Sequence, residues 1–533
     1  MKTVKSLQES RIDYKPKLPH SLEGALATKA DGVATSQIAP TIENLFSHIS
    51  NKPLLSIVPM SSSQKHLPLR VGVVFSGGQA SGGHNVITGI FDALQKHHPD
   101  SVLIGFCDGP NGIVKNKRTI LTEQLLASYR NQGGFDLIGS GRDKIETAEQ
   151  LAAARQTVES LNLDGLVIIG GDDSNTNAAV LAEYFKSSGC KTSVIGVPKT
   201  IDGDLKNEYI EISFGFDTAC KTYSEIIGNL LRDALSAKKC YYFVKVMGRS
   251  ASHIALECAL NTHPNLTLIS EEVAEKRQTL REVTGEIVDV IISRAALGKE
   301  YGLILIPEGI IEFIPEMNVL ISELNQLLAQ NVKLEEISRK LSAASVSCFE
   351  ALPKGIQEQL LLTRDSHGNV QVSKIETERL FIELVEKELK RRNYSGKFSA
   401  QPFFCGYEGR SGLPSNFDAQ YCYALGHVAA VLVNAKANGY ICCLRNLTQP
   451  VEKWIPCGVP LVNMLTIEQR KGKEKAVIKK ALVDLGGNLF ALFAQNRLHW
   501  AKEDAYRSPG PIQFFGPSEL TESIPLTVLI NCF

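Results

Sequence analysis

From Val71 onward, uninterrupted apolar runs alternate with stretches whose apolar positions recur every three or four residues. The runs are VGVVF (71–75), SVLIGF (101–106), LVIIG (166–170), SVIGVP (193–198), YYFVKV (241–246) and GLILIP (302–307). Their length and lack of polar alternation predict strands buried on both faces. After VGVVF, residues Val86, Ile87, Ile90, Phe91 and Leu94 fall at helical spacing. Ala178, Ala179, Leu181, Ala182 and Phe185 do so after LVIIG, as do Ile254, Ala255, Cys258 and Ala259 after YYFVKV. Strands and helices in this order predict an α/β protein with two doubly wound α/β/α domains and mostly parallel sheets.

Outside that repeat the pattern changes. Residues 1–69 are polar and broken by Pro16, Pro19, Pro40, Pro53 and Pro59, and SSSQKHLP (61–68) reads as a linker. They are expected to form an N-terminal extension that packs on the outside or mediates assembly. The α/β pattern then divides into 70–215 and 216–310. Residues 311–400 carry Glu- and Leu-rich stretches such as ISELNQLLAQ and ETERLFIELVEKELKRR, which predict a mostly helical insertion. The segment 401–533 opens with QPFFCGYEGRSGLPSNFD, continues into an apolar helix (419–437), and is expected to return to the first domain.

Composition narrows the function. A chain of 533 residues exceeds one ordinary core, so more than one domain is required. Its 57 basic residues balance 57 acidic ones, which gives no global attraction to nucleic acid or to an anionic membrane. No apolar run approaches the roughly 20 residues needed to span a bilayer. MKTVKSLQES lacks the apolar segment of a secretion signal, and the twelve cysteines form no CxxC pair. The expectation is a cytoplasmic protein with reduced thiols.

Every polar motif lies at the carboxyl end of a predicted strand, where ligands bind in parallel sheets. SGGQASGGHN (76–85) offers glycines that let backbone approach an anion, before a helix start with N–H groups to spare. It lacks the GK[ST] of a Walker loop, and a glycine turn is also a common βα connection. GGDDSN (170–175) puts two carboxylates in the same setting. Asp172 is a natural Mg²⁺ ligand between protein and phosphate, or alternatively the N-cap of the next helix. PKTIDGDL (198–205) supplies Lys199 as a phosphate-binding cation, Thr200 as a hydrogen-bonding group and Asp202 as a general base. Arg249 in MGRSASH (247–253) suits a phosphate, and Glu308 in PEG (307–309) suits sugar hydroxyls. GYEGR (406–410) adds Tyr407 and Arg410. Phosphoryl transfer needs this inventory of cations, a metal-binding carboxylate and a base.

In this order the motifs resemble those of the phosphofructokinases, over roughly residues 70–430. The length, the extension and the insertion resemble the long pyrophosphate-dependent form. The resemblance implies a reversible transfer between pyrophosphate and fructose 6-phosphate, with Mg²⁺ as cofactor, serving glycolysis and gluconeogenesis. It implies that Gly77, Gly78 and Arg142 bind the donor, and that Asp172 holds Mg²⁺. Thr200, Ile201 and Asp202 would contact the sugar phosphate, with Asp202 taking the proton of the 1-hydroxyl. Met247, Gly248, Arg249, Glu308, Tyr407, Glu408, Gly409 and Arg410 would bind fructose 6-phosphate. Lys239 and Cys240 would reach a neighbouring subunit's site, which implies a homodimer or higher homo-oligomer.

Two positions carry the donor preference. ATP-using relatives have glycine where Asp173 stands, and its bulk and charge would reject the rest of a nucleotide while admitting pyrophosphate. Lys199 stands where ATP users commonly have glycine. One departure is Ser81, where the family usually has proline, and a looser loop is expected there. The alternatives to a pyrophosphate-dependent enzyme are an ATP-dependent phosphofructokinase, a non-catalytic regulatory subunit, and an NAD or lipid kinase sharing only the GGD loop.

Overall fold

The computed structural model describes residues 6–23, 26–30, 38–59, 67–330, 332, 334–362, 370–470, 473–511 and 522–530. Residues 61–66 of the expected linker lie outside this set. The strands are β1 (Leu26–Ala30), β2 (Leu55–Pro59), β3 (Arg70–Phe75), β4 (Val102–Phe106), β5 (Arg118–Leu121), β6 (Gly165–Gly170), β7 (Ser193–Pro198), β8 (Tyr241–Val246), β9 (Leu266–Thr267), β10 (Gly302–Pro307), β11 (Ala400–Cys405), β12 (Tyr440–Arg445), β13 (Ile455–Pro460), β14 (Leu465–Arg470) and β15 (Lys473–Ile478). All six apolar runs are therefore strands. The chain forms two compact units, Met1–Ala219 with Gly409–Ala481 and Gln513–Cys532, and Cys220–Glu408 with Leu482–Ile512.

The first unit holds a nine-stranded sheet in the order β1-β2-β13-β12-β7-β6-β3-β4-β5. Its centre, from β12 to β4, is parallel, and the pairings outside it are antiparallel. The chain leaves β3 for β4 on one side and comes back to β6 on the other. The switch point therefore falls between β3 and β6, at the carboxyl ends that carry the glycine loop and the double aspartate. On one face, Val74, Ile168 and Ile441 pack with Ala178, Ala182 and Phe185 of the Asp172–Ser187 helix. Elsewhere in this unit the Gly83–His97 and Asn416–Asn434 helices cross closely enough that only glycine fits. A Cβ on Gly89 would lie 2.3 Å from the Tyr423 carbonyl, and one on Gly426 2.3 Å from that of Val86.

The N-terminal extension contributes more than an outer layer. Its β1 and β2 pair antiparallel, and β2 continues the large sheet through β13. The segment was hidden because five-residue strands give little periodic signal. The C-terminal hairpin β14–β15 is a second unexpected element. Only Leu465–Glu468 alternates apolar and polar residues, a short signal that a charged and partly continuous apolar second strand does not repeat.

The second unit has a parallel four-stranded sheet, β11-β8-β10-β9. Phe243, Ile304 and Ile306 face a core shared with Val283, Ile287, Leu320, Leu324, Leu380 and Val385. These come from the helices Leu280–Ala295, Pro315–Ala329 and Thr377–Arg391, two of them in the helical insertion. Lys245 crosses this interior, paired with the buried Glu378 at 3.2 Å and donating to the Ile375 carbonyl at 2.8 Å. The eleven cysteines among the described residues are all free thiols.

Candidate active site

The glycine loop is shaped by its neighbours on both sides. Gly77 has φ +88°, a conformation that favours glycine. Its N–H donates to the Gly141 carbonyl (2.8 Å) and its carbonyl accepts from Ser140 Oγ (2.6 Å). The Gly77 N–H is thus committed to Gly141. What Gly77 supplies is room: a Cβ there would lie 3.1 Å from Lys199 Nζ. A Cβ on Gly78 would lie 3.0 Å from Arg410 Nη1 and 3.8 Å from Arg142 Nη2. Lys199, Arg410 and Arg142 therefore bring three cations to the two glycines. Ser76 pairs with Gly141 in an isolated parallel bridge, which sets Arg142 beside the loop.

Arg410, expected from the resemblance to bind the sugar phosphate, donates to the Gln79 carbonyl at 3.2 Å, over the glycine loop. Ser411 Oγ donates to Gln79 Oε1 (2.9 Å), and Ser81 Oγ donates to the Gly412 carbonyl (2.8 Å). Ser81, fully buried, ties the loop to the 409–412 turn by a hydrogen bond where proline would act by backbone restraint. The expected loosening is therefore offset. Further along GYEGRSGLPSNFD, Asp418 is a structural anchor that sequence reasoning left without a role. It accepts from the Gly215 and Thr218 N–H groups at 3.0 and 2.9 Å and from the Thr218 hydroxyl, and burial raises its pKa to about 7.

The two aspartates occupy the first turn of the Asp172–Ser187 helix, where the helix dipole favours negative charge. Gly171 is the N-cap, so the capping alternative for Asp172 falls away. Asp173 points to a different environment: it is half exposed and paired with Lys144 at 3.0 Å. Its charge is therefore partly countered.

Lys199 is buried, and burial first, then the charge of Arg410, depress its pKa to about 7. Asp202 has a carboxylate oxygen, Oδ1, that is buried without a hydrogen-bond partner. Asp204 is buried as well, and desolvation together with the neighbouring Asp202 raises its pKa to about 7. Thr200 shapes this turn, its Oγ1 accepting from the Asp202 N–H at 3.1 Å and its carbonyl from Ser213 Oγ at 3.0 Å. Ile201, between Thr200 and Asp202, has a fully buried side chain.

Sequence reasoning missed one cation entirely. Lys480, just past β15, places its Nζ 3.7 Å from Asp172 Oδ2 and 3.8 Å from Asp204 Oδ2. Among the described residues no three His, Cys, Asp or Glu side chains are grouped to hold a metal. The hard oxygens of Asp172 and Asp204 nonetheless suit Mg²⁺, which takes one or two carboxylates and completes its shell with substrate phosphates and water.

In the second unit the motif residues cluster at the carboxyl ends of β11, β8 and β10. The Gly248 N–H donates to Glu308 Oε2 (3.1 Å). A Cβ on Gly309 would overlap the Arg249 carbonyl at 1.8 Å, so PEG and MGR require glycine where they touch. Arg249 makes a two-pronged pair with Glu312, Nε to Oε2 and Nη2 to Oε1 at 3.0 Å each. Glu312 was not read from the sequence. Met247 is buried and Tyr407 is 66% exposed. Glu408 accepts from the Gly406 N–H at 2.9 Å. Lys239 and Cys240 precede β8, at the opposite end of a six-residue strand from Met247. That separation is about 20 Å.

Residues 70–433 match the phosphofructokinase family. The chain is 53% identical to "Pyrophosphate--fructose 6-phosphate 1-phosphotransferase subunit beta 1" of Arabidopsis thaliana, over 98% of this chain and 94% of that one. It is 49% identical to "Pyrophosphate--fructose 6-phosphate 1-phosphotransferase" of Treponema pallidum, over 99% and 97%. Among solved structures it resembles a pyrophosphate-dependent phosphofructokinase from Nitrosospira multiformis, with TM-score 0.56 and 13% identity over 82% of this chain and 93% of that one, a likeness of fold. With the motif loops at the strand ends of both sheets and relatives matching nearly end to end, this chain belongs to the phosphofructokinase family.

Proposed function

We propose that the chain transfers a phosphoryl group from pyrophosphate to the 1-hydroxyl of fructose 6-phosphate, reversibly, giving fructose 1,6-bisphosphate and phosphate. The observation that carries the reading is Asp202: a buried carboxylate oxygen without a partner, in a turn beside Lys199. Burying such an oxygen costs free energy unless a ligand donates to it. A sugar hydroxyl does so, and Asp202 then takes its proton as the oxygen attacks phosphorus.

The new O–P bond forms as the P–O bond to the departing phosphate breaks. Lys199, Arg142 and Arg410 neutralise the donor and the phosphate that leaves. Asp172, with Asp204 beside it, would hold Mg²⁺, which supplies further charge neutralisation of the phosphates. In the second unit Gly248, Arg249, Glu308, Tyr407 and Glu408 read the sugar phosphate, and Arg249 exchanges Glu312 for phosphate oxygens. Lys239 and Cys240, remote from that cluster on β8, serve the site of a second subunit in a homo-oligomer. A cytoplasmic location accords with the free thiols and with the absence, among the described residues, of a helix long and apolar enough to cross a membrane.

The relatives' names support pyrophosphate as donor, and so does the Lys144–Asp173 pair where a nucleotide's remainder would have to pass. The test is a donor comparison with the purified chain, Mg²⁺ and fructose 6-phosphate. Fructose 1,6-bisphosphate is expected with pyrophosphate and not with ATP; the reverse preference overturns the donor assignment.

A further inference from the structure

The hairpin β14–β15 and the residues after it lie beyond residue 433, where the match to the family ends. Yet this segment is built into the donor half of the first unit. Val477 and Ile478 are buried, and Ile478 joins the core that includes Ala178 and Phe185. The Ile478 N–H donates to Thr176 Oγ1 at 3.0 Å, on the helix that begins with the two aspartates. Three residues later the Ala481 N–H donates to the Asp204 carbonyl at 2.7 Å. The backbone is thus pinned on both sides of Lys480, once to the GGDD helix and once to the IDGD turn.

Between these pins the Lys480 ammonium is nearly equidistant from Asp172 and Asp204. Both separations exceed a hydrogen bond, so it balances the two carboxylates without being locked onto either. The need for such a charge follows from the local inventory. Asp172, Asp173, Asp202 and Asp204 come from two short stretches. Lys144 answers Asp173, and Lys199, Arg142 and Arg410 gather at Gly77 and Gly78. Two carboxylates and a highly charged anion such as pyrophosphate together exceed the charge of one Mg²⁺, and Lys480 is placed to cancel part of the remainder.

We propose that Lys480 is a positioning residue of the donor site, which draws the Asp172 and Asp204 carboxylates toward one shared cation and screens their charge, so that pyrophosphate binds beside them. This makes donor affinity depend on a segment beyond residues 70–433, which match the phosphofructokinase family as a whole. The inference rests on the functional reading above.

The test compares Lys480→Gln and Lys480→Arg with wild type, in the full chain. Two quantities are read: the KM values for pyrophosphate and fructose 6-phosphate in steady-state turnover, and pyrophosphate binding by calorimetry with Mg²⁺ and no sugar. Losing one of the site's cations is expected to weaken pyrophosphate about tenfold in Lys480→Gln, in both readouts. The KM for fructose 6-phosphate should stay within about twofold, and Lys480→Arg should recover most of the loss. A merely structural lysine would shift both substrates together. Unchanged pyrophosphate affinity in a folded Lys480→Gln, or equal losses in the Gln and Arg variants, overturns the proposal. If wild type neither binds nor uses pyrophosphate, the functional reading falls with it; if wild type binds it no better than Lys480→Gln, this inference alone falls.

Discussion

In the first unit Lys199 is buried with its pKa pushed down to about 7, and Asp202 keeps an unpartnered oxygen out of water. In the second unit Arg249 is partly open to solvent and doubly paired to Glu312, and Glu308 already accepts from the Gly248 N–H. One site holds its groups desolvated and ready; the other holds them satisfied and must trade partners. The difference follows what each must do. Stabilising charge that develops during transfer rewards groups fixed in advance in a dry setting. Recognising a sugar phosphate needs only a net gain when one carboxylate is exchanged for another anion.

The comparison breaks most visibly at Asp202. Asp202→Ser is expected to cut kcat by roughly 10²–10⁴-fold while fructose 6-phosphate still binds. Steady-state kinetics and equilibrium binding check it, and an unchanged kcat removes Asp202 from the chemistry. Next is Lys199→Met, expected to lower kcat/KM for pyrophosphate by about 100-fold, in line with losing one preorganised charge.

Lys199 also gives the donor site a pH signature. Its folded pKa is below its unfolded value, so between about pH 7 and the ordinary lysine range the unfolded chain binds the extra proton. Its contribution to stability therefore rises with pH through that window. Donor binding runs the other way: pyrophosphate favours the ammonium, so its affinity should fall as pH rises above about 7. Calorimetry in two buffers should show proton uptake on pyrophosphate binding, and no uptake there would reject the charged-lysine role.

In the second unit, Arg249→Ala should raise the KM for fructose 6-phosphate by about 10–100-fold, the worth of charge-assisted hydrogen bonds. The KM for pyrophosphate should barely move. Glu312→Gln sharpens the same point, because a weaker partner should lower the fructose 6-phosphate KM by a few-fold. If Glu312→Gln raises it instead, the pair orients Arg249 and does not compete with phosphate. The smallest effect is expected from Ser81→Ala, about 1 kcal/mol of stability for one buried hydrogen bond, read by denaturant unfolding.

Much of this was legible before any coordinates. The apolar runs 71–75, 166–170, 193–198, 241–246 and 302–307 each became a strand, because burial on both faces of a parallel sheet leaves a local record in hydrophobicity. The motif loops fell at carboxyl ends for the same local reason, since each simply follows its strand. The strands β1 and β2 left no such record, being only five residues long.

By itself, then, the sequence determined the α/β class, the central strands of both sheets, and the polar loops that follow them. Tertiary structure alone decided the partners. It set Arg410 over Gly78, committed the Gly77 N–H to Gly141, paired Asp173 with Lys144 and Arg249 with Glu312, and delivered Lys480 to Asp172. Periodicity records whether a residue faces water or the core, a property of its own segment. An ion pair records which distant segments meet, and side-chain charges separated by tens to hundreds of positions carry no local trace of that meeting.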